Sequence, residues 1–329
     1  MSRNRKIYYL APDSNTPSWG LGIIYHHVLA LSEAGYNAFL VHEKAPFGLD
    51  WIEVKVPTLY WDQSIKINPE DIVVVPEVKV NLKGLKQLKC RKILFVQASS
   101  FLFEMLPENE THISLGFESA IGIMPHMMPI IEQFTSLKAD MVRPFIAPYF
   151  IKDENNLHER SKSILIFPKF YQQDFGIVRR VISDKLEKVN PKGVTGIFKS
   201  KWKLIELKGK THKDVAKLMQ EATFFIATNT FESFNASCVE AMSAGCISIC
   251  YEGFGPRDYM VNGKNAFVFP NNEAYRLSNF VFDLIDNFDA KQEELKRVRE
   301  EGYKLASTYN YQETKTQLIN FFELKYQAS

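Results

Sequence analysis

The stretch Ala227-Thr-Asn-Thr-Phe-Glu-Ser-Phe-Asn-Ala-Ser-Cys-Val-Glu-Ala-Met-Ser-Ala-Gly245 decides the fold. It begins on the tail of a short apolar run, residues 223–228, which reads as a buried strand. A polar loop carrying Glu232 follows. Residues 236–244 then read as a helix closed by Gly245, a common helix terminator. Residues 246–250 make the next apolar run. Strand, loop, helix and strand with little polar alternation form the repeat of a parallel sheet covered on both faces.

The same alternation extends outward on both sides. Strands are expected over 6–10, 37–42, 71–76, 92–97 and 119–123, with a helix over 22–34. After a polar, proline-containing stretch at 143–162, a second series follows. It has strands over 163–167, 203–207 and 266–270 and a helix over 175–186. Thr211 with Asp214 predicts a capping box, and Asn271 or Asn272 is expected to cap the helix after 270. Helices end the chain, interrupted at Asn310-Tyr311. The expected fold class is α/β: two doubly wound domains, residues 1–155 and 156–310.

Composition excludes several classes. The chain has 329 residues, 46% hydrophobic and 24% charged, with a net charge of +2. That length suits about two domains. No apolar run is long enough to span a membrane, and residues 7–10 are too few for a signal peptide, so the cytoplasm is the expected compartment. Cys90, Cys238, Cys246 and Cys250 fit no zinc spacing and read as reduced core thiols. Residues 1–150 carry 14 basic and 15 acidic side chains, and residues 151–329 carry 26 and 23. This is not the concentrated excess of a nucleic-acid binder. Ten lysines against three acids over 185–217 read as a solvated face. Attraction to an anionic membrane surface is the second reading.

The chemistry concentrates in the opening stretch. Ligands of open α/β sheets bind beyond the carboxyl ends of the strands. The amides of Phe234, Asn235 and Ala236 are expected there at a helix N-terminus, an arrangement that attracts a diphosphate. Asn235 is a residue able to take a left-handed backbone in place of glycine. Glu232 and Glu240 can accept hydrogen bonds from sugar hydroxyls. Their spacing alone says little, because about two such glutamate pairs arise by chance in this composition. Glu110/Glu118 and Glu293/Glu301 share it without the strand, loop and helix.

Glu232-Ser-Phe-Asn235 followed by Glu240-Ala-Met-Ser-Ala-Gly245 resembles the motif of the retaining GT-B glycosyltransferases, family 4 in particular. The resemblance implies two Rossmann-like domains facing a cleft, with a C-terminal helix over about 311–329 returning to the first domain. It implies transfer of a sugar from a nucleotide-sugar donor to an acceptor hydroxyl with retention, as in cell-surface polysaccharide or glycan biosynthesis. Glu240 would hold the donor ribose, and Glu232 would contact the donor sugar and orient its phosphate. Lys169, after the first strand of the second half, would be a catalytic cation on the diphosphate. The family's second cation is missing, since Gln173 or Asp174 stands there. Ser233 and Asn235 replace usual glycines, and their side chains would narrow the approach to the diphosphate. Gly255 and Asp258 lie near the places of the family's Gly-Gly-x-x-Glu loop.

In the first half, Pro17-Ser-Trp-Gly-Leu-Gly22 is similar to the family's glycine-rich loop, which implies a phosphate role for Gly20 and Gly22. His26, Gln97 and His126 are candidate acceptor or catalytic residues. The acceptor would be a glycan, lipid-linked or small molecule, and its loops are expected within 47–62 and 101–112. No cofactor is expected. No metal is expected either, because there is no Asp-x-Asp motif and helix amides with a lysine can take the phosphate charge. Two other readings stay open: a nucleotide-sugar epimerase and a non-catalytic GT-B nucleotide-binding or scaffold subunit.

Overall fold

Runs of β-branched and aromatic residues make the strands, and helices cover the sheets they build. The computed structural model describes residues 5–49, 51, 53–168, 172–189 and 202–326. The chain runs β1 (Lys6–Leu10), α1 (Trp19–Glu33), β2 (Asn37–His42), β3 (Thr58–Tyr60), β4 (Ile72–Pro76), β5 (Arg91–Val96), β6 (Phe117–Gly122), α2 (Met127–Thr135) and β7 (Ala139–Met141). It continues through β8 (Ser161–Ile166), α3 (Gln172–Val189), β9 (Lys203–Glu206), α4 (His212–Glu221), β10 (Ala222–Ala227) and α5 (Ala236–Ser243). The last elements are β11 (Ile247–Tyr251), β12 (Phe267–Phe269), α6 (Ala274–Asp286), α7 (Gln292–Ser307) and α8 (Tyr311–Tyr326).

Two compact units result. One holds the chain up to Phe145 together with α8, and the other is Ile146–Asn310. The polar stretch after residue 146 belongs to the second unit. The Lys152 amide donates to the Ser243 carbonyl at 3.0 Å, and its ammonium donates to the Gln220 carbonyl at 2.7 Å. The first sheet has the order β3-β2-β1-β4-β5-β6-β7 and the second β12-β11-β10-β8-β9. Every pairing is parallel, with Tyr8 opposite Phe39 and Ile226 opposite Ile166. The strand order reverses between β1 and β4 and between β8 and β10. Such reversal points leave a crevice beyond the strand ends, which is where open sheets bind ligands.

Most elements match the sequence expectation to within a few residues. Three local expectations need correction. Helix α1 starts at Trp19, because the Ser18 side chain accepts the Leu21 amide and caps it there. Gly20 and Gly22 therefore lie in its first turn rather than in a loop. Helix α6 is capped by neither Asn271 nor Asn272; Glu273 holds the N-cap position without a side-chain bond. Asn271 Oδ1 instead accepts the Gly253 amide. The Thr211 side chain does accept the Asp214 amide and opens α4.

Arg160 fixes the two helices that matter most for the site. Its guanidinium donates to the Met219 and Gln220 carbonyls at the end of α4, to Ala222, and to Ala244 at the end of α5. These carbonyls have no intrahelical partner, so one cation completes both termini and complements their dipoles. Gly245, with φ of +80°, closes α5 as expected. All eight residues of α5 are buried. All four cysteines are free and buried.

Candidate functional site

Strand β10 is buried along its whole length and ends at the reversal point of the second sheet. The loop beyond it folds back on itself. Phe231 is exposed and Glu232 half-buried, whereas Ser233 and Asn235 are 1% and 0% exposed. The last two side chains are packed inside the loop, so they do not narrow an open approach as expected. Asn235 has φ of −75° and ψ of 75°, the geometry of an inverse γ-turn rather than the expected left-handed backbone. Its Oδ1 accepts from Ser237 Oγ at 2.9 Å. Phe234 packs against Tyr259 and Tyr309, with ring centroids 5.9 and 5.0 Å away.

Two of the three amides expected to meet a phosphate already have partners. Asn235 N donates to the Tyr259 hydroxyl at 3.2 Å, and Ala236 N donates to the Phe234 carbonyl at 2.8 Å. The loop after β11 supplies the support. Gly255 N donates to the Glu232 carbonyl at 3.0 Å. A Cβ at Gly255 would stand 1.8 Å from the Ser233 carbonyl oxygen, so only glycine permits this approach.

Glu240 lies on the second turn of α5, buried, with Oε1 3.3 Å from His212 Nε2. His212 is the first residue of α4, directly after the Thr211 cap. Its Nδ1 lies 2.6 Å from the Tyr149 hydroxyl, and its ring meets Phe150 edge-on. Burial opposes a charge on His212, but the hydrogen bond and charge of Glu240 outweigh it and the pKa is raised. The sequence reading missed His212. Its cap was legible, but its contact with a side chain 28 positions on was not.

Lys169 lies outside the described residues. At the position of the family's second cation, Asp174 accepts from the Tyr251 hydroxyl at 2.6 Å. Among the lysines of 185–217, Lys188, Lys203, Lys208, Lys210, Lys213 and Lys217 are exposed, in keeping with a solvated face. Lys192, Lys199 and Lys201 fall outside the described residues. Among the described residues, no group of three or more His, Cys, Asp or Glu could hold a metal ion. No helix among them is long and apolar enough to cross a membrane.

The first unit has its own cluster at the reversal point between β1 and β4. Gln97 Nε2 donates to the Gly20 carbonyl at 2.8 Å. His26 Nδ1 bonds the Gly22 carbonyl, and its ring packs on Phe145 and Tyr311. Burial lowers the His26 pKa, and these contacts hold the ring as a packing group. His126 precedes α2 without capping it by a side-chain bond. Glu77, which the sequence reading passed over, is buried directly after β4. Its Oε1 accepts the amides of Gln97 and Ala98 at 3.1 and 2.8 Å, and Oε2 has no partner among the described residues. Burial pushes its pKa up to about 7, against the pull of those amides. A charged residue at the end of an apolar strand was the available signal.

Comparison with known proteins agrees with this geometry. Residues 201–305, which span His212, Glu232 and Glu240, match the family described as glycosyl transferases group 1. An alpha-1,6-glucosyltransferase of Actinobacillus pleuropneumoniae serotype 7 (strain AP76) is 26% identical over 220 residues, covering 60% of this chain and 58% of the relative. The chain thus spans little more than half that relative's length. Among solved structures, sucrose-phosphate synthase from Thermosynechococcus elongatus superposes with a TM-score of 0.71 at 11% identity, covering 99% of this chain and 100% of that one. Anabaena Alr3699/HepE in complex with UDP-glucose gives 0.66 at 11% identity, covering 97% and 99%. At such identities the likeness is one of fold, and the fold is GT-B: two parallel-sheet α/β domains.

Proposed function

We propose that this GT-B chain is a retaining glycosyltransferase that moves a sugar from a nucleotide-sugar donor to an acceptor hydroxyl. The observation that carries the reading is Glu240: a buried carboxylate, held by His212, behind a strand-end loop and within the matched region. In this reading Glu240 accepts hydrogen bonds from the ribose hydroxyls, and His212 fixes the carboxylate's orientation. Glu232 contacts the donor sugar and orients its phosphate. Lys169, three positions after β8 in the sequence, supplies the cation. The Asn235 amide exchanges the Tyr259 hydroxyl for a phosphate oxygen.

The step breaks the bond between the anomeric carbon and the diphosphate oxygen and forms one to the acceptor oxygen. The hydroxyl proton leaves with the diphosphate or to water. Charge grows on the departing diphosphate, so donors fixed around it lower the barrier. The first unit supplies the acceptor surface, and the transfer needs no metal or other cofactor. The relative's name makes glucose the first donor sugar to test. A role in surface polysaccharide assembly, on the cytoplasmic side of an anionic membrane, fits the exposed lysines of α4 and its approach. Co-flotation with anionic but not neutral vesicles tests that placement.

The function is tested by thermal shift with UDP, GDP and ADP, each with and without glucose, in EDTA. One nucleotide should raise the melting temperature, and its glucose conjugate should hydrolyse slowly without acceptor. Glu240→Ala should weaken that nucleotide on the order of tenfold, the loss of a charge-assisted hydrogen bond. Unchanged calorimetric affinity in Glu240→Ala would remove its assigned role. A non-catalytic nucleotide-binding relative is the second reading, favoured by the loop bonds already made by the Asn235 and Ala236 amides. Nucleotide binding with no hydrolysis or transfer supports it; conversion of the donor without acceptor into an epimer marks the epimerase.

A further inference from the structure

We infer that Asn229 reads the hydroxyls of the sugar carried by the donor, an assignment that rests on the donor reading above and deepens it. Asn229 stands two residues beyond β10, at the reversal point of the second sheet. It is 6% exposed, and among the described residues neither Oδ1 nor Nδ2 has a hydrogen-bond partner. Natural proteins seldom bury a primary amide this way, because each unsatisfied group costs free energy. The loop after β11 passes close by: a Cβ added at Gly253, whose φ is +53°, would stand 3.5 Å from the Asn229 carbonyl oxygen. The side chain is thus held at the place where the fold binds ligands, with its hydrogen-bonding capacity unspent among the described residues.

The pattern of unspent capacity identifies the ligand class. A phosphate offers only acceptors, so it would satisfy Nδ2 and set negative charge against Oδ1. An ammonium or guanidinium would do the reverse. A hydroxyl both gives and accepts, and hydroxyls on adjacent carbons serve both ends of one amide. Turning the amide over changes nothing, since both atoms lack partners. Asn235, six positions on, differs. Its Oδ1 is taken by Ser237, and its buried Nδ2 alone lacks a partner. That leaves a donor only, which suits an anionic oxygen. The loop therefore begins with a reader of neutral hydroxyls and ends with a reader of negative charge, the order of groups in a sugar joined to a phosphate.

The test is calorimetry and thermal melting of the wild type, Asn229→Leu and Asn229→Ala. The ligands are UDP, GDP and ADP and their glucose conjugates. Asn229→Leu replaces the amide by an apolar group of similar size, so its melting temperature should equal or exceed the wild type's. Its affinity for the preferred nucleoside diphosphate should stay within about threefold, while the glucose conjugate weakens on the order of tenfold. Asn229→Ala should show the same selective loss, whatever its stability. Reduced stability in Asn229→Leu with unchanged affinity for the conjugate makes the amide a structural group and overturns the assignment. Equal losses for nucleotide and conjugate make it a phosphate ligand and overturn it too. A wild type that binds neither ligand overturns the donor reading itself, and Asn229 falls with it.

Discussion

Closed off from water at the end of β4, the Glu77 carboxyl is held mainly by two backbone amides. Its pKa in the folded chain is about 7, against an ordinary value of 4.5. Between those values the folded state keeps a proton that the unfolded state has lost. Stability is therefore full below pH 4.5 and falls as pH rises to about 7, by about 3 kcal/mol in all. Glu77→Gln keeps the accepting oxygen and cannot ionise. Urea unfolding should show the variant equal to wild type near pH 4 and more stable near pH 8. Equal stability at both values would mean that the carboxyl is not held neutral. The carboxyl also anchors Gln97, whose side chain reaches Gly20, where an added Cβ would stand 2.6 Å from Gln97 Oε1.

Two loops, one after β10 and one after β11, meet backbone to backbone, and each depends on the other. Gly255→Ala would force a Cβ into the Ser233 carbonyl, so the loops must part. The expected cost is about 1–3 kcal/mol of stability, the range for overpacking. Nucleotide affinity should fall as the Glu232–Asn235 segment shifts. Melting temperature and calorimetry check both, and an unperturbed variant would show that the loops have slack. This coupling also marks the limit of sequence reading. The strand, helix and glycine around Glu240 follow from local periodicity and were legible. The Asn235 amide's partner is Tyr259, His212 answers Glu240 from another helix, and Ser18 rather than the glycines starts α1. The first two come from chain segments 24 and 28 positions apart in sequence, and no local pattern encodes them. Ser18 was in plain view, but Gly20 and Gly22 behind it suggested a loop that the cap overrides.

At the scale of the whole molecule, α8 belongs to the unit that opens the chain. Thr314 Oγ1 donates to the Arg143 carbonyl at 2.9 Å, and the Arg143 amide donates to Gln317 Oε1 at 2.8 Å. Leu318 and Phe322 are fully buried, and Lys315 pairs with Glu33 of α1. Leu318→Ala should destabilise the first unit by about 2–5 kcal/mol, the range for a core leucine lost to a cavity. Calorimetry should show one unfolding transition moving down while nucleotide still protects the other. A single transition moving as a whole would mean that the two units melt together.

That same helix sets an order of events during synthesis. Residues 146–310 are contiguous, so the second unit has all its parts once position 310 has been made. The first unit, begun earlier, waits until α8 has also emerged. Until then every growing chain presents the face of α1 that α8 covers, with His26, Phe145 and Glu33 lacking their Tyr311 contacts. The unit started first is the one completed last.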